Sequence, residues 1–373
     1  MVREVLRSEH EILSRWSSLD PPLVSVICIT YNHEKYIRDA IEGCLIQDTD
    51  FPFEVIIHDD ASTDGTTAIV RAYAERYPSI IKPIYQTENQ YSQGNKPITF
   101  WLPRVRGQYI ALCEGDDYWH DPSKLQKQVD ILETCPEVGL VHGDADRESQ
   151  VAGQRKGAAH RRAVALHDDS PERLHERIMA GEYIIWTCTI CARTELVRRV
   201  LDEADWEFTR AGFLMVDTPM WLELSQRCRF RYIDEPLATI RVLAESASKS
   251  QDPDRLSRFN RSCREMRGHY LAKFKCSTEL RERVLSKYDE SMLRIAFRAC
   301  REDLAAEAIL ALREVQGRVT CLQRLMAWGS RGGSAYFIAR ACFAVTHLLQ
   351  RIRNIPRRVS RVLRRRASSG PTG

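Results

Sequence analysis

Five short apolar runs punctuate residues 23–144, and their spacing constrains the chain more than any other feature. "PPLVSVICIT" reads as a strand ending near Thr30. It is followed by "HEKYIRDAIEGCLIQ", in which Ile37, Ile41, Cys44 and Leu45 recur at helical spacing. "FEVIIH" is a second strand, cut off by "DDASTDGT", and "TTAIVRAYAERY" is then a helix with Thr63 or Asp64 as its N-cap. "IIKPIYQ" and "QYIALC" read as the third and fourth strands, and "VGLVHGD" as the fifth. Between the last two, "DPSKLQKQVDILETC" is a helix with Pro122 in its first turn. Strands alternating with helices in this way predict an α/β fold, a Rossmann-type, mostly parallel sheet flanked by helices. From about Asp252 to Arg324 the pattern is helical and charged, which predicts a helical C-terminal extension.

Ligands of such sheets bind beyond the carboxyl ends of the strands. Three polar clusters stand there: "TYNHE" after the first strand, "HDDASTDG" after the second and "EGDD" after the fourth. The last is the most demanding. Glu114, Asp116 and Asp117 crowd the end of a buried run, and like charges so close repel unless a positive charge sits among them. No GxxxxGK[ST] occurs, and nothing like GxGxxG follows the first strand, so a glycine-rich loop does not cradle phosphates here. A divalent cation, Mn²⁺ or Mg²⁺, bridging these carboxylates and a diphosphate answers the repulsion, because both ions prefer hard oxygen donors. Gly115 would let the backbone pass close to that ligand.

"VSVICITYNHEKYI", "EVIIHDDASTDGT" and "GQYIALCEGDDYWHDPSKL" together resemble the N-terminal half of family 2 glycosyltransferases with the GT-A fold. The likeness is good from Leu23 to Asp144 and looser to about Ser248. It implies a metal-dependent, inverting, non-processive transferase that takes a sugar from a nucleoside diphosphate donor, UDP-linked, to a glycan or lipid-linked glycan acceptor. Bacterial-type cell-surface polysaccharide synthesis is the implied setting. The resemblance assigns Thr30 and Tyr31 to the nucleotide, Tyr31 flanking the base, with Glu34 near the same pocket. Asp60 would accept hydrogen bonds from the base, with Asp59 beside it. Asp116 and Asp117 would hold the metal, and Glu114 would reach the donor's ribose or a metal-bound water. Inversion also needs a base on the far side of the sugar from the leaving group. Asp217 in "FLMVDTPMWLELSQ" precedes a helix, where Asp is also a preferred N-cap, so the residues alone leave both roles open. The resemblance implies the base. One departure stands out: relatives carry an aromatic–Arg–x–His element whose His helps hold the metal, and this chain reads Ile240, Arg241, Val242, Leu243.

The expected organisation is an N-terminal helical arm (1–20), the transferase domain (21–248), a helical extension (249–333) and an apolar, arginine-rich tail (334–373). Eight arginines and no Asp or Glu lie from Arg351 onward, so the net charge of +4 conceals a first 350 residues at −4. The body is mildly acidic and lacks aromatic–basic interleaving, so no nucleic-acid partner is expected; an arginine tail acting on RNA is the rival from another class. A nucleotidyltransferase is the enzymatic rival, though it would carry a basic, glycine-rich loop where "TYNHEKYI" stands. A nucleotide-binding paralogue without catalysis is a further alternative, favoured by Leu243. The charged N-terminus lacks a signal-peptide core, and the twelve scattered cysteines show no disulfide spacing, which together predict a cytoplasmic protein with reduced thiols. "CTIC" (Cys188 to Cys191) reads as strand packing, Trp119 as a packing anchor or else a sugar platform, and His33 as a residue near the nucleotide loop that solvation alone would explain.

In the tail, Ile352, Ile355, Val359, Val362 and Leu363 can share one helical face while arginines cover the other, a pattern that binds anionic membrane surfaces. The stretch 334–349 is too short to span a bilayer, which needs about 20 apolar residues. The expected location is therefore peripheral, at the inner face of the cell membrane. A chain ending at Gly333 should stay soluble, bind donor as before and lose co-sedimentation with phosphatidylglycerol vesicles. Vesicle binding by the longer chain should weaken with salt, since exposed charges are screened beyond about 8 Å at physiological ionic strength. Equal vesicle binding by the two chains would refute membrane attachment through the tail.

Overall fold

The seven residues of β1 (Val24–Thr30) and of β2 (Phe53–Asp59) are almost wholly buried, as strands covered on both faces must be. Alternation along β1 shows how. Val24, Val26 and Cys28 join a core with α2 (Ile37–Leu45), α3 (Thr66–Arg76) and α5 (Lys124–Thr134), while Ile27 is buried on the opposite face. The structure is a computed structural model, and it describes residues 6–18, 20–149, 154–156, 171–204, 212–215, 217–243, 250 and 252–342. The expected membrane-binding tail beyond residue 342 lies outside the described residues.

The remaining strands are β3 (Ile81–Tyr85), β4 (Tyr109–Glu114), β5 (Tyr118–Trp119), β6 (Val138–Ser149), β7 (Gln154–Lys156), β8 (Cys191–Arg193) and β9 (Arg229–Val242). They form one sheet in the order β3-β2-β1-β4-β8-β6-β9-β5, with β7 paired to β6. β3, β2, β1 and β4 are parallel, which is the half the apolar runs predict. Beyond β4 the sheet is mixed: β8 runs antiparallel to both β4 and β6, β9 runs parallel to β6, and β5 antiparallel to β9. β6 continues well past the expected "VGLVHGD", because it pairs with β9 through Ser149.

Two helix starts differ from expectation. The N-cap of α3 is Gly65, not Thr63 or Asp64, although the Asp64 carboxylate still accepts from Thr66 N–H at 3.0 Å. α5 begins at Lys124, so Pro122 precedes the helix instead of opening it. The N-terminal arm carries α1 (Glu9–Leu13), closed by a Ser8–Glu11 capping box. It inserts Ile12 into the core and sets Trp16 edge-on to Phe53 at 5.1 Å. α4 (Ile98–Trp101) lies between β3 and β4, and α6 (Pro171–Met179), α7 (Thr194–Glu203) and α8 (Asp217–Ser225) lie between β7 and β9.

The chain divides into two compact units, residues 1–249 with 265–276 and residues 250–264 with 277–373. α9 (Pro253–Lys273) contributes to both. In the second unit, α10 (Thr278–Ala299), α11 (Glu302–Gln316) and α12 (Cys321–Gly329) share a core of Met292, Leu293, Leu304, Leu312 and their neighbours. Among the described residues no helix is long and apolar enough to cross a membrane.

One buried charge was not foreseen. Lys124 is fully buried, its Nζ 3.9 Å from the Trp119 ring centroid and donating to Gln128 Oε1 at 2.7 Å. Burial lowers its pKa to about 8. The unfolded chain therefore holds this proton to higher pH than the fold does, and stability should rise as pH climbs from about 8 to about 10.5. In Lys124→Met that increment should vanish. Urea titrations should show the parent gaining roughly 1–3 kcal/mol on the variant between about pH 7.5 and pH 10. A pH-independent difference would contradict the burial of the ammonium.

Candidate functional site

Parallel pairing brings the three polar clusters to one edge. Thr30 is level with Asp59, and Ile29 with Glu114, so the chain leaves the ends of β1, β2 and β4 side by side. The first two loops are laced together. Asn32 Oδ1 accepts from Thr63 N–H at 2.8 Å, Asn32 N–H donates to Ser62 Oγ at 2.9 Å, and Glu34 N–H donates to Asp64 Oδ2 at 3.1 Å. Asn32 adopts φ 55, a left-handed conformation that Asn tolerates better than most residues. Tyr31 beside it is 42% exposed.

Asp59 and Asp60 are buried and hold their surroundings in place. Asp59 Oδ1 accepts from Ser62 N–H at 3.0 Å and its Oδ2 from Thr67 Oγ1. Asp60 accepts Gln90 N–H at 2.8 Å on Oδ1 and Tyr91 N–H at 3.0 Å on Oδ2. Each oxygen keeps a lone pair, so a base edge remains within the capacity of Asp60.

Gly115 is crowded by its own neighbours. A Cβ there would fall 2.7 Å from Thr30 Oγ1 and 2.8 Å from His33 Nδ1. His33, beside the nucleotide loop, is packed rather than merely solvated. It is partly buried over the turn, its Nδ1 3.3 Å from Thr30 Oγ1, and burial lowers its pKa against the opposing pull of Asp116.

The acidic turn is electrostatically costly as it stands. Burial, with the charges of Asp117 and Asp116, pushes the Glu114 carboxyl well above the usual range, and Glu114 Oε2 is shut off from solvent without a hydrogen-bond partner. Burial and the Asp116 charge raise Asp117 to about 7. Cys188 joins them: it lies on a 3₁₀ turn (Thr187–Thr189) rather than on a strand, while Cys191 begins β8. Glu114, Asp117 and Cys188 each offer one atom within 4.8 Å of the others. Burial raises the Cys188 thiol strongly, so it is an inert wall and not a nucleophile. Its carbonyl accepts from Trp119 Nε1 at 2.6 Å, which makes Trp119 the packing anchor the sequence suggested. An orphaned carboxylate oxygen beside two further carboxylates suits a hard divalent cation, whose charge would relieve the repulsion.

Arg241, near the end of β9, was missed as a site residue by sequence reasoning. Its backbone N–H donates to Asp117 Oδ1 at 2.9 Å and its Nη1 to the Asp116 carbonyl at 3.0 Å. Nη2 pairs with Asp39 Oδ2, and Nε lies 3.5 Å from Glu148 Oε2. The guanidinium carbon lies over the rings of Tyr36 and Tyr118, 5.2 Å and 4.5 Å from their centroids.

Asp217 is the first residue of α8, and its Oδ1 accepts from Thr218 N–H at 2.6 Å. Burial raises its pKa, and its charge contributes to raising that of Glu114, which places the two carboxylates within electrostatic reach. α8 is anchored by the buried Glu223, which meets Lys273 Nζ at 2.6 Å and Arg227 Nη1 at 2.7 Å.

Residues 25–193 match the family model described as glycosyl transferase family 2. An uncharacterized protein of Mycobacterium tuberculosis is 46% identical over 135 residues, which is 34% of this chain and 38% of that relative. The putative teichuronic acid biosynthesis glycosyltransferase TuaG of Bacillus subtilis is 39% identical over 113 residues, 30% of this chain and 42% of its own length. The match thus spans well under half the length of these curated relatives. Among solved structures, a fragment of S. aureus TarS in complex with UDP-GlcNAc aligns at TM-score 0.49 and 18% identity, covering 79% of this chain and 90% of that one.

The raised carboxyl of Glu114 makes a stability prediction for cation-free protein. Its folded pKa exceeds its unfolded one, so the fold binds the extra proton and loses stability as pH rises above the ordinary carboxylate range. Glu114→Gln removes that penalty. In chelator, the variant should melt above the parent at about pH 7.5, and the advantage should shrink towards about pH 4.5. A variant that melts below the parent at both values would contradict the buried, repelled carboxylate.

Proposed function

Residues 25–193 are a family 2 glycosyltransferase domain, and from that premise we propose that the chain transfers a sugar, with inversion, from a nucleoside diphosphate donor to a glycan or lipid-linked glycan acceptor. The observation that carries the reading is the shared edge: Thr30, Asp59 and Glu114 stand side by side at the ends of parallel strands. The relative named for teichuronic acid biosynthesis supports cell-surface polysaccharide as the setting. A UDP-linked donor and an Mn²⁺ or Mg²⁺ ion complete the proposal.

Tyr31 flanks the base of the donor and Asp60 accepts from its edge, while Thr30, Glu34 and Asp59 shape the pocket. Asp116 and Asp117 would hold the cation, and Glu114 would reach the ribose or a metal-bound water. When bound, the cation supplies Lewis-acid stabilisation of the departing diphosphate. Asp217 takes the proton of the acceptor hydroxyl as that oxygen forms its bond to the anomeric carbon and the sugar–phosphate bond breaks. Burial, by raising the pKa of Asp217, brings its basicity closer to what proton transfer near neutrality requires.

Attachment to the inner face of an anionic membrane is a further part of the proposal. It draws support from the helical residues 333–342, where Phe337 is 68% and Ile338 52% exposed just before the arginine-rich sequence.

Two variants separate the roles. Asp116→Asn should abolish cation-dependent binding of a nucleoside diphosphate by calorimetry while leaving a cooperative melt. Asp217→Asn should bind donor normally and lose transfer by about 10²-fold or more, the scale of general-base loss. Unchanged cation dependence in the first, or near-normal turnover in the second, would overturn the corresponding assignment.

A further inference from the structure

Arg241 is nearly enclosed, with only 8% of its side chain exposed, yet it reaches four separate pieces of the site. It meets the acidic turn twice, through its backbone N–H on Asp117 Oδ1 and its Nη1 on the Asp116 carbonyl. It meets α2 through Asp39 and the far end of β6 through Glu148, which pairs with it across the β6–β9 register. It also lies over the rings of Tyr36, just before α2, and Tyr118, in β5. Each of the three guanidinium nitrogens already faces an oxygen, so the group is not poised as a phosphate receptor. A planar fork packed against two aromatic rings, with every nitrogen engaged, is instead a rigid strut. What it braces is the peptide that carries Asp116, because the Asp116 carbonyl is one of its acceptors.

We propose that Arg241 is a positioning residue: it fixes the backbone of the Asp116–Asp117 turn against α2, β5 and β6, so that the carboxylates present one arrangement to a cation-bound diphosphate. The inference rests on the functional reading above and deepens it. β9 approaches the turn here, and two residues on Leu243 offers no donor atom, so the strand end contributes by bracing the carboxylates and not by ligating. Direct electrostatic help is secondary, because Asp39 and Glu148 share the same positive charge. Lysine would keep the charge but lose the fork, and with it the simultaneous hold on Asp116 and Asp39.

The test uses the full chain and two probes, Mn²⁺ alone followed by electron paramagnetic resonance and UDP followed by calorimetry with and without Mn²⁺. In Arg241→Lys, Mn²⁺ affinity and the Mn²⁺-dependent gain in UDP affinity should fall about tenfold, while UDP affinity without metal stays within about twofold, since bracing acts only on the carboxylates. Asp39→Asn, which frees one nitrogen and leaves both contacts to the turn, should show a smaller loss of the same kind and guards against a misfolded lysine variant. An unchanged Mn²⁺ affinity in both variants, or equal losses with and without metal, would overturn the inference. Parent protein that binds Mn²⁺ with the expected Arg241 dependence but takes no nucleotide would sink the donor reading and leave the positioning role standing. Parent protein that binds neither probe overturns both.

Discussion

Three carboxylates on one four-residue turn, drawn partly out of water, repel one another, and the organisation of this edge follows from containing that repulsion. Glu114 and Asp117 are pushed towards their protonated forms, and Arg241 is brought in from the end of β9 to pin the turn from behind. Such an arrangement lowers the stability of the empty fold and is retained where a ligand restores the balance. A divalent cation with a diphosphate, the ligand proposed for this edge, has the chemistry to do so.

The parallel register gives the turn its neighbours. Because Thr30 is level with Asp59 and Ile29 with Glu114, a ligand spanning this sheet edge would pass the Tyr31 ring, the Asp60 carboxylate and the acidic turn. The supports are internal to the same unit. Asn32 and Asp64 tie the first two loops together, Thr30 and His33 fill the space a side chain at position 115 would need, and Cys188 with Trp119 closes the floor. Asp217 enters from α8, a helix held by the Glu223 pairs, so its position is set independently of the turn.

The parts legible in the sequence are those whose signal is local. β1, β2 and β4 are continuous apolar runs ending abruptly in polar clusters, and α2, α3 and α5 carry helical periodicity, so the parallel half of the sheet and its shared polar edge follow from the residues. β9 is another matter. "RFRYIDEPLATIRV" is charged and largely half-exposed, and its pairing with β6 covers the stretch "DADRES" that carries no apolar run of its own. Arg241 was hidden for the same reason: it meets Asp116 from 125 positions away, and only the mixed half of the sheet brings them together. Lys124 was not foreseen, and Cys188 reads from the sequence only as strand packing, because burial of a lysine beneath a tryptophan, or of a thiol against carboxylates, is a property of tertiary packing that neither spacing nor composition encodes.

The central claim is that this edge takes a nucleoside diphosphate sugar together with a divalent cation. Calorimetric titration of the unmodified full chain with UDP-, GDP-, CDP- and TDP-sugars, each with Mn²⁺ and with chelator, tests it most directly. The account predicts saturable binding of one nucleotide class, UDP first, that strengthens markedly when Mn²⁺ is present. Binding of every nucleotide with the same affinity in Mn²⁺ and in chelator, or of none, would contradict it.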